Sequence, residues 1–148
     1  MAPYVILLVV LAVWAFVALR DEPELRPYVI IYGINLLVAL AAQGSTAIFL
    51  DMYTFGGFAG LFLVTMGIEP LLGVLYAHYS DRSPFLKALG AGMILGGPLE
   101  WLFLWSGSFQ YHRGWHPALT VFFFTMYFLW TRWLKRYLTG GQRSPTAV

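Results

Sequence analysis

The sequence predicts an all-α, polytopic membrane protein: a bundle of five transmembrane helices with the N-terminus outside and the C-terminus inside. Three observations predict it. Hydrophobic residues make up 59% of the chain and charged residues 11%. Ordinary soluble domains are roughly 45–50% apolar and about 25% charged, so half the usual charge cannot cover a soluble surface. Five stretches are apolar over the ~20 residues that a spanning helix requires. The basic residues also segregate onto alternate connections, as the preference of Lys and Arg for cytoplasmic loops demands.

The first helix covers residues 3–19 and carries no charge. Its charges follow it, at Arg20, Asp21, Glu22, Glu24 and Arg26. That order is the reverse of a signal peptide, so the segment is expected to remain in the mature protein. The second helix covers 27–50. Pro27 suits a first turn, where its missing N–H costs nothing, and Asn35, Gln43, Ser45 and Thr46 precede Asp51. The third covers 55–79, with Gly56-x-x-x-Gly60 and then Glu69-Pro70 near its middle. The fourth covers 85–105, with Gly92-x-x-x-Gly96, Pro98 and Glu100. Glycines at this spacing let helices approach closely. The fifth covers 117–137 and is rich in Phe, Trp and Tyr, which suits lipid-facing bulk and interfacial belts. Residues 1–139 form a single domain, and 140–148 read as a disordered cytoplasmic tail.

Five helices place Arg20, Arg26, Arg82, Lys87, Arg132, Lys135, Arg136 and Arg143 on one side and only Arg113 on the other. Four helices would break that segregation. The chain therefore reads as an integral, multi-pass protein of a cell membrane, the inner membrane if the source is bacterial.

Glu69 and Glu100 are the deep carboxylates. Ionisable groups in spanning helices face the bundle interior and mark functional sites by default. At ~1.5 Å per residue, Glu69 lies about 20 Å below Phe55 and Glu100 roughly 8 Å below Trp105, both measured from the outer face. Pro70 and Pro98 each remove a backbone N–H beside a carboxylate. The freed carbonyls are expected to offer polar groups to a site, since irregular backbone in hydrocarbon is tolerated only where protein or water surrounds it. With Gln43, Thr46 and Asp51 from the second helix, these groups can line one cavity open toward the outer face or outer leaflet. Trp101, Tyr111, His112, Arg113, Trp115 and His116 stand at its mouth as further ligand-binding candidates, with the 106–117 connection closing over it. Burial in hydrocarbon disfavours a bare charge. Glu100 is therefore expected to be neutral near pH 7 unless Arg113, a histidine or a cationic ligand reaches it. The alternative for each Glu is a helix-packing hydrogen bond, on the order of 0.6 kcal/mol.

His112 and His116 are four apart, but Gly114 between them and Pro117 after them argue against a regular helix, and no metal site is assigned. With no cysteine, thiolate chemistry is excluded. No Walker, dinucleotide or Gly-x-Ser-x-Gly pattern occurs, so no cofactor is called for, and a net charge of +2 gives no argument for nucleic acid.

Pro70-Leu71, Pro84, Gly96, Glu100, Phe109-Gln110, Gly114 to Pro117 and Leu129-Trp130 follow one another in an order that resembles the expanded emopamil-binding-protein (EXPERA-like) superfamily, which includes sterol isomerases and sigma-2-type receptors. The resemblance runs from about residue 70 to about residue 130. It implies a five-helix bundle with an intramembrane cavity for sterol-like or amine-bearing hydrophobic molecules. The superfamily's Gly-His-Pro reads Gly-Trp-His-Pro here. Its isomerases use a His and a Glu in the second helix, where this chain has Gln43-Gly44-Ser45-Thr46. Glu100-Trp101, Phe109, Tyr111 and Gly114-Trp115 are also similar to a family of small uncharacterised bacterial integral membrane proteins.

Three functions are compatible with these residues. One is binding of a hydrophobic ligand (a lipid, isoprenoid or sterol-like molecule), with isomerase-like acid–base chemistry by Glu69 and Glu100 if the protein is an enzyme. Another is a structural or assembly subunit of a membrane complex, or a homo-oligomer. The third is a small-solute transporter. Convergence of Glu69 and Glu100 on one cavity favours the first and third over the second. A reporter fused after Val148 is expected to read as cytoplasmic; an extracytoplasmic reading would overturn the five-helix, N-out topology.

Overall fold

In the computed structural model, which describes residues 2–80, 83–112 and 114–140, the chain forms five long helices. They are α1 (Ala2–Leu19), α2 (Arg26–Gln43), α3 (Phe58–Tyr79), α4 (Pro84–Trp105) and α5 (Pro117–Leu138). A π-helical segment, Gly44–Phe49, continues α2. Among the described residues, four stretches are long and apolar enough to cross a membrane: Ala2–Leu19, Arg26–Ile48, Phe58–Tyr79 and Pro84–Trp105. The fifth helix has 22 residues, enough for a span by length, but its last turns carry Arg132, Lys135 and Arg136.

The bundle is built around α3, whose second half touches α1, α2 and α5. Tyr4, Leu11 and Ala15 of α1 pack on Val64, Ile68 and Leu75. Tyr28 and Ile31 of α2 pack with Val74, Ala77 and Leu134. Meanwhile Val13, Phe16, Leu37, Ile94 and Trp133 face outward and stay exposed. Apolar surface on this scale, spread around the helices, is what an acyl-chain environment tolerates and water does not.

Glycine sets the closest contacts. A Cβ on Gly92 would stand 2.8 Å from Thr125 Oγ1, and one on Gly96 2.8 Å from Val121 Cγ2 and 3.0 Å from the Pro117 carbonyl. The Gly92-x-x-x-Gly96 pair is therefore the seam between α4 and α5. Gly56-x-x-x-Gly60 is only half such a seam: a Cβ on Gly60 would press on the Phe55 carbonyl and stand 3.1 Å from Tyr4 Cε2 of α1, whereas Gly56 lies outside the helix. Gly56 and Gly57 both adopt positive φ (65° and 106°) in a turn, and α3 starts at Phe58 rather than residue 55.

A short ribbon at one end of the bundle was not foreseen. The connections after α2 and α4 pair as antiparallel strands β1 (Tyr53–Thr54) and β2 (Gln110–Tyr111), with Tyr53 opposite Tyr111. His112 N–H extends the ribbon by donating to the Met52 carbonyl at 2.8 Å, and the Tyr4 hydroxyl ties α1 to the Ser108 carbonyl. At the other end, cations satisfy the carbonyls that the end of α3 leaves open. Lys135 Nζ reaches the Ala77 carbonyl at 2.8 Å, Lys87 Nζ the Tyr79 carbonyl at 2.5 Å, and Arg132 the Ser80 carbonyl.

Gly73 lies where α2, α3 and α5 meet: a Cβ there would stand 2.1 Å from Asn35 Nδ2 and 2.7 Å from Tyr127 Oη. Gly73→Ala is therefore expected to destabilise the protein by about 1–3 kcal/mol, the range for overpacking. Gly90→Ala, with nothing within 4 Å, is expected to be neutral or stabilising by up to about 1 kcal/mol. Thermal unfolding in detergent measures both, and equal melting temperatures would contradict the packing account.

Candidate functional site

Three helices leave the α-register, and a buried polar side chain stands at the edge of each departure. Gln43 immediately precedes the π-helical segment Gly44–Phe49. Glu69 immediately follows the segment Val64–Ile68 within α3, and Glu100 follows Leu95–Leu99 within α4. Each carries the wider hydrogen bond of a π turn: Leu50 N–H to Ser45 O, Glu69 N–H to Val64 O, and Glu100 N–H to Leu95 O. Pro98 lies inside its segment and Pro70 directly after Glu69. A proline cannot donate four residues back, so the local register shifts. Such π segments recur at functional sites.

At Pro70 the freed carbonyl does not point into a site, as the sequence suggested it would. Met66 O, the α-register partner that Pro70 cannot serve, accepts instead from Tyr32 Oη at 2.6 Å. The Glu69 carbonyl accepts from Tyr127 Oη at 2.7 Å. Neighbouring tyrosines close the α3 break, and the side chains of Gln43, Glu69 and Glu100 supply the polarity.

Glu69 and Glu100 open into one cavity of about 550 Å³. Small-molecule sites usually fall within roughly 300–1,000 Å³, with apolar walls and few polar groups. The walls here are mostly apolar, with Leu72, Leu95, Leu99, Phe103, Phe109 and Phe124 among them.

Two hydrogen-bonded clusters hold the carboxylates. In the first, Gln43 Nε2 donates to Glu69 Oε1, and Tyr53 Oη donates to Gln43 Oε1 at 2.7 Å. Thr46 Oγ1 stands 2.5 Å from Tyr53 Oη and 2.7 Å from the Ala42 carbonyl. The single Tyr53 proton goes to Gln43, and the single Thr46 proton is shared between the Ala42 carbonyl and Tyr53 Oη. This chain fixes the Gln43 amide with its NH₂ facing Glu69. In the second cluster, Glu100 Oε1 accepts from Tyr111 Oη at 2.7 Å and from Thr120 Oγ1 at 3.0 Å. Trp115 Nε1 in turn donates to Thr120 Oγ1 at 3.0 Å. Glu100 Oε2 is buried and has no hydrogen-bond partner among the described residues. Burial pushes the Tyr53 phenol above its ordinary range, with a partial offset from Thr46. Burial and then the adjacent Glu100 raise that of Tyr111. Both phenols therefore stay protonated and act as donors.

Gln43, Thr46, Glu69, Glu100 and Trp115 all line the cavity, as the sequence reading expects. Five other described candidates do not line it. Trp101 projects from the outer face of α4, 65% exposed, and stacks on Trp105. Asp51 is exposed at positive φ, 3.9 Å from an equally peripheral His112. His116 caps α5: its Nδ1 accepts from Ala118 N–H at 3.2 Å, the usual N-cap arrangement just before a first-turn proline. Tyr111 acts from behind, through Glu100. Arg113 lies outside the described residues, as do Arg82 and the tail from 141 to 148. Among the described residues no three His, Asp or Glu side chains gather as metal ligands.

Sequence reasoning missed Tyr53, Thr120 and Tyr127. Thr120 had a signal: a hydroxyl in an apolar helix turns toward the bundle. Tyr53 had none, because its position depends on the ribbon. Compared with protein families, curated proteins and solved structures, the chain matches none.

Proposed function

We propose that this protein spans the membrane five times, N-terminus outside and C-terminus inside, and binds a hydrophobic molecule within the bilayer. The apolar body of the ligand fills the cavity, and Glu69 and Glu100 take its polar end. The observation that carries this reading is the convergence of two carboxylates, from two separately broken helices, on one apolar space. Glu100 Oε1 takes two hydroxyl donors and Oε2 none, so the carboxylate retains acceptor capacity. The favoured polar end is an amine or a hydroxyl. Either can donate to a carboxylate, and an ammonium group also gains from the aromatic faces of Tyr53, Phe109 and Trp115 around the cavity.

The resemblance to the emopamil-binding superfamily agrees with such a ligand, as an analogy of sequence order. It does not extend to that superfamily's catalytic pair, because Gln43 and Thr46 occupy the corresponding stretch of α2 and an amide does not titrate. Any proton transfer to a ligand would fall to Glu69 and Glu100.

The test is titration of the purified protein with a dansyl-labelled long-chain alkylamine. Glu100→Gln and Glu69→Gln are each expected to weaken binding tenfold or more, about 1.4 kcal/mol. Their melting temperatures should stay close to that of the parent. Glu100→Leu is expected to lower the melting temperature as well, because it strips Tyr111 and Thr120 of their acceptor. Unchanged amine affinity in both Gln variants would remove the site assignment.

A further inference from the structure

The cavity walls show where a ligand comes from. Among the described lining residues, the exposed ones are Val38 and Ala42 on α2 and Phe123, Met126 and Trp130 on α5. Val38 is 37% exposed, Phe123 49%, Met126 44% and Trp130 42%. The lining residues of α1, α3 and α4 are buried or half-buried, and so are Tyr53, Phe55, Phe109 and Trp115 at the ribbon end. The cavity is thus closed toward the ribbon and open along one side.

Helical spacing places that opening in a single seam. On α2, Ala39 and Gln43 form the buried stripe of the wall, with Val38 and Ala42 beside it as the exposed stripe. On α5, Thr120, Phe124 and Tyr127 line the interior, while Phe123, Met126 and Trp130 form the adjoining exposed stripe. The helices are pinned together at one end of the seam, where Thr131 Oγ1 donates to Asn35 Oδ1 at 3.3 Å. At the other end Trp115 stacks on Phe123, with ring centroids 5.7 Å apart. From Asn35 to Ala42 the seam runs for about 10 Å at ~1.5 Å per residue. All five rim side chains are apolar, and the α2 rim lies within a stretch long and apolar enough to span a bilayer. An apolar rim on a membrane helix faces acyl chains, not water.

We infer that the ligand is a bilayer amphiphile that enters sideways between α2 and α5. Its amine or hydroxyl head reaches Glu69 and Glu100, and its chain lies across the Val38, Ala42, Met126 and Trp130 rim into the membrane. This rests on the cavity being the binding site, and it excludes a solute that arrives from water through the ribbon end.

The experiment uses the full chain in phosphatidylcholine vesicles and two photoreactive hexadecylamines, one with a diazirine beside the amine and one with it at the chain end. The head probe is expected to label the deep wall at Leu99 or Phe103. The chain-end probe is expected to label Val38, Ala42, Met126 or Trp130. Ala42→Trp, or Met126→Trp if that variant does not fold, is expected to slow labelling about tenfold, some 1.4 kcal/mol on the barrier to passage. Chain-end labelling at Phe55 or Phe109, or an unchanged labelling rate in the Trp variant, would overturn sideways access while leaving the binding site standing. Absence of saturable labelling anywhere in the cavity would overturn both.

Discussion

In hydrocarbon, every backbone donor and acceptor must find a partner inside the protein, because each unsatisfied group costs several kcal/mol. That constraint governs this structure, since α3 and α4 both carry a proline deep within the apolar segment and α2 leaves the α-register at Gly44. A proline in mid-helix opens the ladder at the carbonyl four residues earlier. Here the ladder is mended by a wider π turn in each helix and by hydroxyls from neighbours, Tyr32 on Met66 and Tyr127 on Glu69. The mending explains the tyrosines: two helices lend hydroxyls to the broken one, so the break fastens α2 and α5 to α3.

The same breaks turn side chains into the interior. A π segment inserts one extra residue per turn, so the residue at its edge is rotated away from the face that regular α-winding would give it. Gln43, Glu69 and Glu100 stand at three such edges and meet around one space. Their hydrogen bonds come from separate elements, Tyr53 and Tyr111 on the ribbon and Thr120 on α5. The ribbon is therefore part of the site: pairing Tyr53 with Tyr111 brings one phenol to Gln43 and the other to Glu100. Polar groups held this way are costly to leave half-satisfied, and Glu100 Oε2 is left with an open valence.

Much of this was legible in the sequence where a residue type has one physical use. A glutamate within two residues of a proline in an apolar run occurs twice, and both glutamates line the cavity. Gly92 and Gly96 at a four-residue spacing marked the seam with α5. Pro27 and Pro117 marked helix starts. Reading failed where a residue type has several uses and tertiary structure chooses among them. His116 has the chemistry of a ligand but serves as a cap. Gly56 stands at a packing spacing from Gly60 but serves a turn with positive φ. Trp101 adjoins Glu100 in sequence, yet a one-residue step around a helix turns a side chain by roughly 100°, which sends it to the outer face. Strands of two residues carry no periodicity to detect, so the ribbon and Tyr53 stayed hidden. The sideways opening was also out of reach, because it depends on how far two helices part.

Helix breaks gather Glu69 and Glu100 around one mostly apolar space, proposed to take the head of a membrane amphiphile. Structure determination in lipid nanodiscs at a resolution that shows bound lipid tests it most directly. Elongated density is expected, with one end against Glu69 and Glu100 and the other passing between Val38 and Met126. A cavity closed by side chains, with Glu69 and Glu100 paired to protein groups on every oxygen and no density between α2 and α5, would contradict it.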